Sequence, residues 1–143
     1  MKTKIYKAVH DLAQKMMRAA NRQDQAQFDP LYAELQAICI DNENISNKDH
    51  PVQWETLADF TEDLEQALII YEKALAKAVA INAKDFMSSI PFSMATLQAE
   101  LGQTEAAIQT LRFAQDSAKN IVDKELKNEI DALLKTLTEA SAV

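Results

Sequence analysis

The sequence predicts an all-α fold, and three observations support that class. The 143 residues include one glycine and three prolines, far fewer turn residues than a sheet protein of this length needs. Apolar residues recur at steps of three and four along most of the chain, which is the spacing of one helix face. Apolar residues make up 48% and charged residues 26%, a globular composition. We therefore expect one helical domain over residues 1–143.

Two helices are predicted in the first 40 residues. The apolar stripe of the first, about residues 3–20, comprises Ile5, Val9, Leu12, Met16 and Ala19. The stripe of the second comprises Phe28, Leu31, Tyr32, Leu35 and Ile38. We expect Asp29 to cap the second helix, with Pro30 in its first turn, where the missing amide hydrogen costs nothing.

Five further helices follow a polar loop at residues 41–50, which is rich in Asn, Asp and Ser. A third helix starts around Pro51, a turn at residues 61–63 precedes a long fourth helix, and a fifth spans about residues 85–101. Pro91 lies inside the fifth pattern, so that helix either kinks or begins there. Gly102 is the expected carboxyl cap of the fifth helix. The sixth helix starts near Thr104 and the seventh near Val122.

The second, fourth and sixth helices align with one another at spacings of 39 and 40 residues. Three columns of residues support this alignment: Phe28, Ala67 and Ala107; Tyr32, Tyr71 and Leu111; and Leu35, Ala74 and Ala114. Such a period is typical of stacked helical hairpins, in which each hairpin buries its apolar stripe against its neighbours.

The second-helix segments LEQALIIYEKAL (64–75) and GQTEAAIQTLRFA (102–114) carry small, large and small residues at the positions typical of tetratricopeptide repeats. The chain therefore resembles that family, and its long period is similar to the repeats of kinesin light chains. The resemblance implies a right-handed superhelix of antiparallel helix pairs. Its repeats would span residues 3–41, 49–83 and 84–119, and a capping helix would span residues 122–140.

The resemblance also implies a non-enzymatic scaffold that binds a peptide or protein partner on its concave face. First helices line that face in the family. The polar residues expected there are Gln53, Thr56, Asp59, Ser89, Ser93, Thr96 and Gln98. No basic pair in these helices matches the arrangement by which some relatives hold a terminal carboxylate. The aromatic residues Trp54, Phe60 and Tyr71 either line the groove or, as their helical spacing favours, belong to the core.

Two alternatives to a partner-binding scaffold stay open. The first is a structural protein that forms a homodimer through its first or last helix, which an exposed apolar stripe on the last helix would favour. Enzymatic activity has little support, because His10 and His50 have no metal-ligand spacing and Cys39 has no motif around it. We expect Cys39 to be a buried structural thiol, and we expect neither a metal nor a cofactor.

The net charge of −7 argues against a nucleic-acid partner, which requires a basic face. Residues 1–22 are the exception, with six basic side chains and one acidic side chain; they either form a solvated face or dock an acidic partner. No apolar run approaches the length of a membrane span, and none resembles a signal peptide. One cysteine permits no internal disulfide. We therefore expect a cytoplasmic protein.

Overall fold

Seven α-helices form between residues 3 and 141, the part of the chain that the computed structural model describes, and no β-strand occurs in that part. The helices are α1 (Thr3–Asn21), α2 (Gln25–Asp41), α3 (Pro51–Asp59), α4 (Leu64–Ala80), α5 (Phe86–Glu100), α6 (Thr104–Ser117) and α7 (Lys124–Ser141). A 3-10 turn over Ala118–Asn120 precedes α7. The all-α class predicted from the sequence is confirmed.

The helices pack as three successive hairpins, α1 with α2, α3 with α4 and α5 with α6, followed by α7. Each hairpin also contacts the next through α2 and α3 and through α4 and α5. Helix α3 touches α1 on one side and α5 on the other, and α5 also touches α7. We call the surface that α1, α3 and α5 form side by side the first-helix face.

The second helices of the hairpins start at equivalent points. Their amino-terminal caps are Asp24, Asp63 and Gln103, which are 39 and 40 residues apart, as are the columns aligned from the sequence. Eight of the nine side chains in those columns are buried, and Tyr32 is half-buried. The first helices do not share this regularity, because α1, α3 and α5 are 19, 9 and 15 residues long.

The first and third hairpins use the same turn. Two residues after the last residue of α1 comes a left-handed residue, Gln23 (φ 55°), and two residues after the last residue of α5 comes another, Gly102 (φ 78°). In both turns the next amide donates back to the helix, from Asp24 to the Ala19 carbonyl at 2.9 Å and from Gln103 to the Gln98 carbonyl at 2.8 Å. This is the Schellman motif, and it confirms Gly102 as the carboxyl cap.

The start of α2 differs from the prediction. Asp24, and not Asp29, caps the helix, because its carboxylate accepts the Gln27 amide at 3.1 Å. The Asp29 side chain lies one turn inside, where it accepts a hydrogen bond from the Gln25 amide group at 2.6 Å. Pro30 is therefore the sixth residue of α2 and not part of its first turn. Pro91 is likewise the sixth residue of α5, which begins at Phe86 and not at the proline.

Two apolar clusters form the core, and they meet on α5. The first cluster runs from α1 to α5 and includes the fully buried Met16, Leu35 and Ile90. The second joins α5, α6 and α7 through Ala95, Leu111 and Ile130, among others. Helix α5 thus belongs to both clusters, since Ile90 is part of the first and Ala95 is part of the second.

The loop at residues 42–50 is fixed to α4 by Asp49. Its carboxylate accepts the Lys77 ammonium at 2.6 Å, the Trp54 indole N–H at 2.7 Å and the Asn44 amide at 2.7 Å. Burial alone would raise the pKa of Asp49, but these hydrogen bonds outweigh it and hold the pKa below its ordinary value. Trp54 is consequently a structural residue, buried in the core beneath the Lys73 and Lys77 ammonium groups.

Candidate functional site

A depression lies on the first-helix face, between α1 and α3. It has a volume of about 620 Å³. Helix α1 contributes one wall, and α3 with its carboxyl cap contributes the other. The lining residues are His10, Ala13, Gln14, Met17, Arg18, Thr56, Asp59 and Phe60. We call this depression the α1–α3 groove.

Apolar side chains are interleaved with charged ones in the α1–α3 groove. Met17 is 55% exposed, and the Phe60 ring packs at a tilt of 55° on Phe28 with centroids 6.2 Å apart. Arg18 and Asp59 place opposite charges on the two walls, yet they form no ion pair within 4.0 Å. An exposed methionine beside an aromatic ring offers an adaptable apolar surface for a ligand.

The groove continues along α1 towards its amino terminus. A smaller pocket of about 80 Å³ shares His10, Ala13 and Thr56 with the groove and adds Tyr6, Val9 and Val52. The rings of Tyr6 and His10 stack in parallel with centroids 6.5 Å apart, and the Gln14 side chain lies 3.2 Å from the His10 ring nitrogen Nε2. The two pockets together follow α1 for about three turns, which suits an elongated ligand better than a compact one.

Two carboxylates project from successive turns of α3. Glu55 accepts a hydrogen bond from the Ser89 hydroxyl of α5 at 2.7 Å. Burial raises the pKa of Glu55 to about 7, the Ser89 hydrogen bond opposes that rise, and the negative charge of Asp59 adds to it. The Asp59 side chain lines the α3 side of the groove. Glu55 therefore changes its charge near neutral pH, one helical turn before the groove residue Asp59.

Tyr71 of α4 holds the Asp59 side chain in position through a hydrogen bond. Its phenol donates a hydrogen bond to the Asp59 carboxylate. Surrounding protein atoms raise the pKa of the Asp59 carboxyl although the residue as a whole stays exposed, and the Tyr71 hydrogen bond works in the opposite direction. Burial and the charge of Asp59 in turn raise the pKa of Tyr71. The ring of Tyr71 is buried, so this residue belongs to the core and orients a groove carboxylate.

The seven residues predicted for the partner groove fall into two groups. Thr56 and Asp59 line the α1–α3 groove. Ser89 is half-buried and bonded to Glu55, Ser93 is half-buried one turn further along α5, and the half-buried Thr96 donates to the Phe92 carbonyl at 3.0 Å. These five lie on or near the first-helix face.

Gln53 and Gln98 do not lie in the groove, and their prediction as groove residues is wrong. Gln53 is 0% exposed and Gln98 is 8% exposed. The Gln53 side-chain oxygen Oε1 accepts the His50 amide at 2.6 Å in a reciprocal cap of α3, in which His50 Nδ1 accepts the Val52 amide at 3.1 Å. Both glutamines therefore have a structural position in the interior.

The sequence prediction missed the α1 wall and Glu55. Met17 follows the core residue Met16 directly and so points about 100° away from it, into the groove. First helices were expected to line the groove, and applying that expectation to α1 as well as to α3 and α5 would have included His10, Gln14 and Arg18.

The remaining chemical candidates are structural. Cys39 is buried as expected, its thiol donates to the Gln53 main-chain carbonyl at 3.3 Å, and burial raises its pKa to about 12. His50 caps α3 and packs edge-on against Phe86, and burial lowers the pKa of its imidazole. Among residues 3–141, no three His, Cys, Asp or Glu side chains gather in a way that would hold a metal ion.

None of the helices in the described part of the chain combines the length and the apolar content that crossing a membrane requires. Comparison with protein-family models, with curated proteins and with solved structures finds no match for this chain. A function for this chain is therefore inferred from the geometry of the α1–α3 groove and its surroundings.

Proposed function

We propose that the protein is a non-catalytic binding module that receives a peptide segment of a partner protein in the α1–α3 groove. The observation that carries the proposal is the lining of that groove. It combines an exposed methionine and an aromatic ring with a cation on one wall and a carboxylate on the other. Apolar anchors flanked by polar groups are the usual composition of a peptide-binding surface.

The shape of the groove supports a peptide over a compact small molecule. It is open to solvent along α1 and extends into the smaller pocket past His10. Small-molecule sites bury most of their ligand in a cavity. A peptide in this groove would place an apolar side chain against Met17 and Phe60, and its polar groups would meet Arg18 and Asp59.

We further propose that the hairpins form a tetratricopeptide-like superhelix. The equivalent helix starts, the buried small residues of α4 and α6, and the contacts of α3 with α1 and α5 all support this arrangement. In such a stack the first helices line the concave side, and the α1–α3 groove would open on that side. We assign the protein to the cytoplasm, since a buried, unpaired cysteine suits a reducing compartment.

A catalytic role for the Glu55–Ser89 pair has weaker support than binding. Ser89 lies inside α5, and its own amide donates to the Asp85 carbonyl at 2.9 Å. Because the amides of neighbouring helical residues are committed in the same way, this serine has no nearby backbone donors to stabilise an oxyanion. The pair is better suited to holding a polar group of a ligand.

Self-association through the last helix also has less support. Ile130 of α7 is fully buried, and Leu133, Leu134 and Leu137 pack against the second core cluster. The apolar stripe of α7 is thus largely occupied within the chain.

Peptide display on the immobilised protein tests the proposal. Selected peptides should bind the wild type, and Met17→Glu should weaken them about tenfold, because a carboxylate then replaces the apolar contact. Ile69→Glu is the matched control, since Ile69 is 63% exposed on α4 away from the groove. Equal weakening by both substitutions, or none by Met17→Glu, would exclude the groove as the peptide site.

A further inference from the structure

A second pocket lies outside the first-helix face, where the end of α1 meets the beginning of α2. It has a volume of about 350 Å³ and is lined by Lys15, Arg18, Arg22, Gln27, Pro30 and Leu31. Three of its six lining residues are basic. Lys15 and Arg18 lie in α1, and Arg22 follows its last residue and donates its amide to the Arg18 carbonyl at 3.1 Å. At steps of three and four, the three residues therefore share one side. We call this depression the basic pocket.

The charges of the basic pocket are not balanced inside the protein. All three basic residues are exposed, and no carboxylate of residues 3–141 lies within 4.0 Å of their charged groups. The carboxyl end of α1 favours cations, but its macrodipole amounts to only about half of one elementary charge. A chain with a net charge of −7 therefore presents a local concentration of positive charge at this end.

The floor and the length of the pocket distinguish between classes of anion. Lys15 and Arg22 are seven residues apart, which places their main-chain positions about 10.5 Å apart along the helix. A single phosphate group is much smaller than that span, whereas carboxylates three residues apart in a polyproline II peptide share one side and lie about 9 Å apart. Pro30 and Leu31 add an apolar floor, which a free oxyanion cannot use and an apolar side chain can.

We infer that the basic pocket binds an acidic peptide segment in which carboxylates flank an apolar residue. The two arginines engage carboxylates by paired N–H donors, Lys15 supplies a further point charge, and the apolar residue packs on Pro30 and Leu31. The exposed side-chain amide of Gln27 is available to the peptide backbone. This site is separate from the α1–α3 groove, with which it shares only Arg18.

Fluorescence anisotropy with a labelled eight-residue peptide of glutamates and leucines tests the inference. The variant Lys15→Gln/Arg22→Gln changes two exposed residues that do not line the α1–α3 groove. It should weaken the peptide about tenfold, and added sodium chloride should weaken binding to the wild type. The control Lys124→Gln/Lys135→Gln makes the same change in net charge on exposed positions of α7 and should leave the affinity within about twofold.

Four results would overturn the inference. The first is that the Lys15→Gln/Arg22→Gln variant has the circular dichroism of the wild type and binds the peptide with unchanged affinity, and the second is that the control variant weakens binding as much. The third is that a peptide with glutamine in place of glutamate binds the wild type with equal affinity. The fourth is that low millimolar inorganic phosphate displaces the peptide. The last would identify a simple oxyanion site. Peptides selected for the α1–α3 groove should keep their affinity for the Lys15→Gln/Arg22→Gln variant, so failure of either site is distinguishable from failure of the other.

Discussion

Gln23 and Gly102 occupy equivalent left-handed positions at the ends of α1 and α5, but only one of them is a glycine. The two turns have the same length and the same pair of returning amide hydrogen bonds. A side chain with a β-carbon is strained in this conformation by about 1 kcal/mol, whereas glycine is not. The first hairpin thus carries strain that the third avoids.

We expect Gln23→Gly to raise the free energy of unfolding by about 0.5 to 1 kcal/mol, because relief of the strain exceeds the entropy that glycine adds to the unfolded chain. Gly102→Ala should lower it by about 1 kcal/mol, although no atom lies within 4 Å of the added carbon, so that its effect isolates the backbone. Urea unfolding of both variants provides the measurement. A loss of stability from Gln23→Gly would contradict the argument.

The third hairpin lacks a side-chain cap where the other two have one. Asp24 and Asp63 accept the amides of Gln27 and Gln66 at 3.1 and 3.0 Å, while Gln103 makes no such bond. Gln103→Asp should therefore stabilise the protein by about 1 kcal/mol, and Asp63→Ala should cost a similar amount. Thermal unfolding followed by circular dichroism checks both values. If Gln103→Asp left the stability unchanged while Asp63→Ala lowered it, the uncapped start of α6 would not limit the stability of the protein.

Removal of Asp49 should release the loop at residues 42–50. The side chains of Asp49 and Lys77 are only 9% and 15% exposed, so their pairing is worth more than that of a surface ion pair. Asp49→Ala leaves the Lys77 ammonium and the Trp54 indole N–H without their acceptor, and we expect a loss of about 2 kcal/mol. Asp41→Ala, an exposed acid at the end of α2, is the control. Urea unfolding followed by Trp54 fluorescence measures the stability of both variants. An equal loss of stability in Asp49→Ala and Asp41→Ala would disprove the anchoring role of Asp49.

Glu55 should make stability depend on pH in a direction unusual for an acid. Its pKa is higher in the folded protein, about 7, than its ordinary 4.5. Its protonated form is therefore stabilising below about pH 4.5, and that contribution is lost as the pH rises to about 7. Glu55→Gln should be about 1 to 2 kcal/mol more stable than wild type at pH 8, with no advantage at pH 4.5.

Urea unfolding of the wild type and Glu55→Gln across this pH range checks the prediction, with the exposed Glu139→Gln as control. The difference between wild type and Glu55→Gln must grow between pH 4.5 and 7 and then stay constant. A difference that is independent of pH would mean that Glu55 ionises normally in the folded protein.

The Cys39 thiol should be inert in the native state. A pKa of about 12 leaves almost no thiolate at pH 8, and the side chain is buried. We expect Ellman's reagent to react only as fast as the protein unfolds and to label the thiol at once in urea. Rapid labelling under native conditions would show that the contact between α2 and α3 opens readily.

Helical periodicity was enough to predict the all-α class and every helix, because an apolar stripe is a direct consequence of burying one side of a helix. The start of α2 was misplaced for a local reason. Asp24 and Asp29 are both plausible caps, and the turn that selects Asp24 is formed by Gln23, whose type does not indicate a left-handed conformation. A glycine there, as at position 102, would have marked the boundary.

The groove residues were harder to predict than the helices. Gln53 is polar but fully buried, since its side chain completes the cap of α3, and α3 has only nine residues from which to deduce its phase. Met17 and Glu55 show the converse error, because an apolar residue on the surface and an acid at a helix seam contradict the simple expectation for their types. Tertiary packing, and not residue type, decides which of these side chains meets solvent.

The position of α5 between the two core clusters determines how far the influence of a ligand extends. In a linear stack, each helix is stabilised mainly by its immediate neighbours, so end segments open more readily than the centre. A peptide between α1 and α3 protects the first cluster directly, and that protection reaches α6 and α7 only through the packing of α5. Hydrogen exchange of amides in α1 to α4 should therefore slow on binding, while the amides of α7 continue to exchange at nearly the rate of the free protein.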